Sequence, residues 1–288
     1  MIETNGAGAA LVLPLVLLAA ALHATWNALV KAGGDRLAVQ TLVMLAPALI
    51  AAPLLLVLPV PAPASWPLLA VSVTLHLAYN ALLVAAYRHG DLSQVYPIAR
   101  GSAPVLVAIG AWILAGEGKS ISEMLAIFIV SLGILALSYR RGPRRHGETR
   151  SVILAFMVGL SIAAYSLTDG LGARAAGSVP SYIAWLFFLE GTLFFLIVAA
   201  LRRGRIVTSF RRVLLPGLGG GLMAGLGYAI VIWAMTLLPI AHVVALRETS
   251  VLMAAAIGAL LLKEGFGRQR LAASAFVVLG TVLLQLAR

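Results

Sequence analysis

Apolar stretches of about twenty residues follow one another along this chain, parted by short polar or turn-forming segments. Ten can be drawn, at 10–30, 37–58, 67–87, 93–115, 121–139, 151–170, 180–201, 213–236, 241–262 and 269–287. Each has about the length that crosses some 30 Å of hydrocarbon at about 1.5 Å per residue. Strict apolar–polar alternation, which a membrane barrel requires, is absent. The pattern predicts an all-α integral membrane protein with ten transmembrane helices.

Composition strengthens that reading. Hydrophobic residues make up 61% of the 288, against 21 basic and 10 acidic ones, and the mean hydropathy is +1.02. Too few polar residues remain to coat a soluble core of this size. There is no cysteine, which removes disulfides, thiol chemistry and Cys-ligated metals. No metal-ligand spacing or nucleophile triad is present either, so neither a metal nor a cofactor is expected. The first apolar stretch lacks a preceding basic flank, and His23, Trp26 and Asn27 stand where a cleavage site needs small residues. It reads as a retained helix.

The net charge of +11 would suggest nucleic acid in a soluble protein. Its distribution says otherwise. Sixteen Lys and Arg residues fall in the odd-numbered loops, among them Arg140, Arg141, Arg144, Arg145 and Arg150 between spans five and six. The even loops and both ends hold three: Lys119, Arg174 and Arg288. By the positive-inside rule the odd loops are cytoplasmic and both termini lie outside. The expected setting is a bacterial inner membrane, the bilayer is the partner, and nucleic acid is not.

Arg100 and Arg247 belong to neither set. They are equivalent residues in a repeat: 96–137 aligns without gaps on 243–284, with ten identities. Arg100/Arg247, Glu117/Glu264, Gly118/Gly265 and Gly133/Gly280 are the four that an Ala-, Leu- and Val-rich composition does not supply by chance. Five spans per copy is an odd number, so the second copy is expected inverted. Loop charges agree, since 59–67 carries none while its counterpart 202–212 carries five arginines. The expected organisation is a first five-helix repeat over 1–139, a basic cytoplasmic connector over 140–150 and a second repeat over 151–288, arranged around a central cavity walled by spans 1, 3, 4, 6, 8 and 9.

Small-rich fourth and ninth spans ending in Gly116-Glu117-Gly118 and Lys263-Glu264-Gly265, a late glycine in each following span, and the opening HATWNALVKAG (23–33) carry a family resemblance. The chain resembles the drug/metabolite transporter superfamily of EamA type over nearly its whole length, and within it the YddG-like branch. The resemblance implies a ten-helix fold of two inverted repeats. It also implies export of aromatic or other hydrophobic amino acids, with drugs, sugars and nucleotide-sugars as alternative cargo.

Polar residues at helix depth are the candidates for chemistry, because an ionisable group near the midplane costs at least about 2.5–3.5 kcal/mol. Arg100, between Pro97 and Pro104, could hold a substrate carboxylate beside carbonyls freed by a broken helix. It could equally snorkel, or pair with Asp91 or Asp169. Arg247 and Glu248, being adjacent, point to different helix faces, so one can line a cavity while the other meets a neighbouring helix. His76, Tyr79, Asn80, Leu83 and Tyr87 form one helical stripe. That stripe either receives an amino acid or seams two helices. Tyr96 is a further aromatic, either at the cavity or in the interfacial belt.

Trp26 and Asn27 fall opposite Tyr165 and Ser166 when HATWN is laid on IAAYS, which adds Trp26, Asn27 and Tyr165 to the candidate substrate residues. Tyr228 borders the same expected cavity. Glu190, mid-span, is a candidate for proton coupling or equally a buried partner for an arginine of a neighbouring helix. Asp169, near the outer end of its span and expected to be solvated, is a candidate for proton coupling or for binding a substrate amine. His23 and His242 read as structural. Gly217, Gly221 and Gly225, at i+4 spacing, read as close helix packing. Together these residues predict a secondary transporter, monomeric or a weak dimer, moving a small molecule by alternating access. The remaining alternatives are a channel and an intramembrane enzyme. A channel would show a strong polar stripe on several helices and conductance without saturation. An intramembrane enzyme would need a nucleophile or paired carboxylates on facing helices, where Asp169, Glu190 and Glu248 are scattered.

Overall fold

The structure, a computed structural model, describes residues 6–31, 35–89, 92–118, 120–138, 148–203, 209–211, 213–253 and 268–287. Most of the described residues are helical and none of them is in a strand: α1 (Gly6–Lys31), α2 (Arg36–Leu54), α3 (Trp66–His89), α4 (Leu92–Ala115), α5 (Ile121–Ala136), α6 (Glu148–Ala175), α7 (Val179–Leu201), α8 (Leu214–Leu237), α9 (Ile240–Arg247) and α10 (Arg268–Leu286), with a 3₁₀ turn at Pro63–Ser65. Six of them, α2, α3, α4, α6, α7 and α8, are long and apolar enough to cross a membrane. Large side chains such as Trp112, Ile113, Leu114 and Phe128 stand exposed along the helices. Such a surface suits acyl chains and not water, and the chain is a membrane-embedded helical protein.

Helix ends follow local chemistry. Ser120 and Glu123 form a reciprocal capping box that starts α5. Asp35 accepts from the Ala38 amide to start α2, and Ser178 caps α7. Glu117 does this at long range: its Oε2 accepts from the Ile240 amide at 2.8 Å, closing the N-terminus of α9. The last turn of α8 is met by Arg174, whose Nε donates to the Met235 carbonyl at 2.9 Å.

One expectation about helix continuity is overturned. Pro97 and Pro104 lie inside α4, which runs unbroken through both. The break lies in the ninth span instead. After α9 the chain turns at Glu248 and Thr249 and resumes as helix at Ser250. Across the turn the amides of Glu248, Thr249, Val251 and Leu252 reach back three residues and not four. This is a 3₁₀ tightening of the kind that interrupts a helix axis. The sixth span is also longer than drawn, and the second and fifth are shorter.

The chain folds into two compact units that interleave the sequence halves: 1–73 with 169–237, and 74–168 with 238–288. In the first unit, α8 lays its glycines on α2. A Cβ on Gly217, Gly221 or Gly225 would strike Leu42, Val43 and Ala46, or Pro47. Glycine packing, expected from the i+4 spacing, is what the eighth span uses. Gly227 lies close to Ala19 and Leu22 of α1, with 3.3 Å between an added Cβ and the Ala19 carbonyl.

In the second unit, α5 and α10 pack through Gly133 and Gly280. Gly133 faces Ala273, Phe276 and Val277, while Gly280 faces Ala126 and Val130. The contact is reciprocal, and it runs antiparallel because rising numbers on one helix meet falling numbers on the other. Ala126/Ala273 and Val130/Val277 are identities of the repeat.

Candidate functional site

Eight of the eleven substrate candidates fall in the second unit: His76, Tyr79, Asn80, Tyr96, Arg100, Tyr165, Arg247 and Glu248. Small residues bring α4 close to its neighbours on either side of Arg100. A Cβ on Gly101 would collide with Leu135 of α5, and one on Gly159 of α6 would meet the Ala99 carbonyl at 2.8 Å. Arg100 is thereby 5% exposed, and the snorkelling alternative does not hold.

Its partner is Glu248, fully buried, with Nε to Oε2 at 2.9 Å. The N–H is not aimed for a hydrogen bond, so the contact is an ion pair without that directionality. Arg247, 4% exposed, places a second guanidinium within electrostatic range of the same carboxylate. Glu248 sits one position beyond Arg247, and Gly101 one beyond Arg100. The equivalent arginines of the repeat thus share one helix crossing, at the place where the ninth span is interrupted. Among the described residues, two guanidinium groups and one carboxylate meet at that crossing.

Aromatic groups surround it. Tyr79, Tyr96 and Tyr165 are all within electrostatic range of Arg100. His76 stacks on Tyr165 with ring centroids 4.1 Å apart at 27°, and Tyr79 meets the same ring edge-on at 5.6 Å. The polar stripe on α3 therefore faces protein, as its composition required. Asn80 donates to the His76 carbonyl of its own helix at 2.9 Å. Tyr96, half-buried, packs on an apolar cluster of Val130, Ile134, Val251 and Val277.

The remaining candidates lie in the first unit. Trp26 donates to His23 Nδ1 at 3.3 Å and packs on Ala38, Val39, Leu42, Val43 and Val213. Asn27 donates to the His23 carbonyl at 2.7 Å. Both hydrogen bonds are local to α1. Tyr228 instead donates through its hydroxyl to Asp169. Glu190 is buried at mid-α7, where Gly191 beside it presses on the backbone of Met44.

Asp169 contradicts the expectation of a solvated end. It is fully buried, and it accepts from the Ser72 hydroxyl, from Tyr182 at 3.0 Å and from Tyr228. Three hydroxyl donors replace the water that a carboxylate at a helix end would have found. Sequence reasoning missed Ser72 and Tyr182, since a hydroxyl in an apolar run carries no mark of its partner. Gly172 carried the only available signal: it lies against the Tyr182 ring, where a Cβ would collide. His242 is buried with its Nε2 3.3 Å from the Gln285 amide, in keeping with a structural role. Asp91, Glu264, Gly265 and the connector arginines up to Arg145 lie outside the described residues.

A helical membrane protein with a buried, arginine-rich and aromatic crossing is the class these features define. No family model matches the chain, and no curated protein does. A solved crystal structure, described only as that of a protein, matches with a TM-score of 0.75 over 96% of this chain and 97% of its own. Sequence identity is 13%, so the likeness is one of fold.

Proposed function

We propose that this chain is a secondary transporter of the EamA-type drug/metabolite class. It exports small metabolites, aromatic and other hydrophobic amino acids first among them, across the bacterial inner membrane by alternating access. The observation carrying the reading is the Arg100–Glu248–Arg247 cluster, nine-tenths buried or more, beside Tyr79, Tyr165 and His76. Ionised side chains at membrane depth are costly to hold and mark functional sites. A substrate carboxylate would take a forked pair of hydrogen bonds from a guanidinium. The neighbouring rings offer faces for an apolar side chain and an ammonium group.

The antiparallel contact of α5 with α10, and the meeting of Arg100 with the Arg247–Glu248 turn, support two inverted five-helix repeats. Contacts between loops support the topology. Asp35 in loop 1 pairs with Arg202 in loop 7, Ala62 in loop 2 bonds Ala176 in loop 6, and Glu117 in loop 4 caps the helix after loop 8. Odd loops meet odd and even meet even, as ten crossings with odd loops in the cytoplasm require.

Purified protein in liposomes should accumulate labelled phenylalanine, tryptophan or leucine with saturable kinetics. Arg100→Ala, His76→Ala and Tyr79→Ala should each lower uptake at least about tenfold while the protein still elutes as a folded species, in line with the loss of one good polar or aromatic contact. Uptake of sugars or nucleotide-sugars in place of amino acids would change the cargo. Unaltered uptake in all three variants would move the site.

A further inference from the structure

Beyond general recognition of an amino acid, we propose that Glu248 reads the substrate's α-ammonium group and so sets selectivity for zwitterions over simple carboxylates. The inference rests on the transport reading above. Its origin is an asymmetry: the repeat places an arginine on each side of the α4–α9 crossing, but the next residue is Gly101 in one copy and Glu248 in the other. Duplication alone does not call for a carboxylate there, and the first copy does without one.

The carboxylate is also held unlike a structural counterion. It is fully buried, with Arg100 Nε 2.9 Å from Oε2, and among the described residues Oε1 has no hydrogen-bond partner. Buried charges kept for stability are normally saturated with hydrogen bonds. An ammonium group carries three donors and no acceptor, the complement of these two oxygens. Glu248 also forms the 3₁₀ turn, and Tyr96 lies within electrostatic range of it. One negative and two positive groups at a single crossing match a ligand that brings both signs. A site with arginines alone would favour anions.

The test measures equilibrium binding of L-phenylalanine and of 3-phenylpropanoate, which lacks the ammonium, to the full chain in detergent. Wild type should prefer phenylalanine by at least roughly tenfold, since a site built to bond an N–H rejects the analogue lacking it. In Glu248→Gln, which keeps shape and removes the charge, the preference should vanish or invert, with 3-phenylpropanoate binding more tightly than to wild type. Equal binding of the two ligands by wild type overturns the proposal without needing any variant. So does a preference that survives Glu248→Gln. Binding of neither ligand to folded wild type removes the amino-acid reading itself, and this proposal with it.

Discussion

Asp169 illustrates what a buried carboxylate demands of its surroundings. Ser72, Tyr182 and Tyr228 each point a hydroxyl at it. Replacing it by Ala would leave three donors facing a void, at about 1–3 kcal/mol for each group left unsatisfied. Asp169→Ala should therefore lower the unfolding midpoint in detergent well beyond Tyr182→Phe, which removes one donor and leaves two. Equal effects would mean that the hydroxyl cluster contributes little. The carboxylate was visible in the sequence but its environment was not, because hydrogen-bond partners 13 to 97 residues away leave no local pattern.

Asp35 titrates where water can reach it. Its forked contact with Arg202, at 2.8 Å for Nη2 to Oδ1, and then the Ala38 amide hold its carboxyl below the usual carboxylate value. A depressed native pKa contributes stability above the unfolded value of about 3.9 and loses it as pH falls through the native value. The pair is partly exposed, so its coupling should be only about 0.2–1 kcal/mol. A double-mutant cycle with Asp35→Asn and Arg202→Gln should show that coupling at pH 7 and a smaller one below about pH 4. A pH-independent coupling would contradict the assignment.

Along the helices, spacing was legible and interruption was not. The i+4 glycines of α8 announced a packing face, and Gly221 and Gly225 sit on α2 as that face requires. Gly219, on the open side, has no atom within 4 Å of an added Cβ. Gly219→Ala should be neutral or stabilising by up to about 1 kcal/mol, the usual gain in a helix interior. Gly221→Ala must push the Val43 carbonyl, 2.8 Å away, and should lower the thermal midpoint. If both behave alike, the α2–α8 contact is misplaced.

Proline misled where glycine did not. Pro97 and Pro104 suggested a broken fourth span, yet inside a packed membrane helix neighbouring groups can absorb the lost hydrogen bonds. The interruption at Glu248–Thr249 carries no proline or glycine. Its sequence cue is the charged pair Arg247–Glu248 itself.

For the molecule as a whole, the repeat was the strongest signal in the chain, and its use went beyond the four polar identities that revealed it. Ala126/Ala273 and Val130/Val277 looked like accidents of composition, yet they face Gly280 and Gly133 across the α5–α10 contact. The interleaving of the compact units could not be read, since it depends on which helices pack and not on their order. The buried arginine cluster was assembled in part from sequence, with Arg100 and Arg247 matched but their shared carboxylate left open. Alternating access makes one demand that a pore or an enzyme does not. Proteoliposomes loaded with unlabelled phenylalanine and diluted into trace labelled phenylalanine should show counterflow, an overshoot of internal label that then decays, and Arg100→Ala should abolish it. Label that rises monotonically to equilibrium in wild-type vesicles, without overshoot, would contradict a carrier.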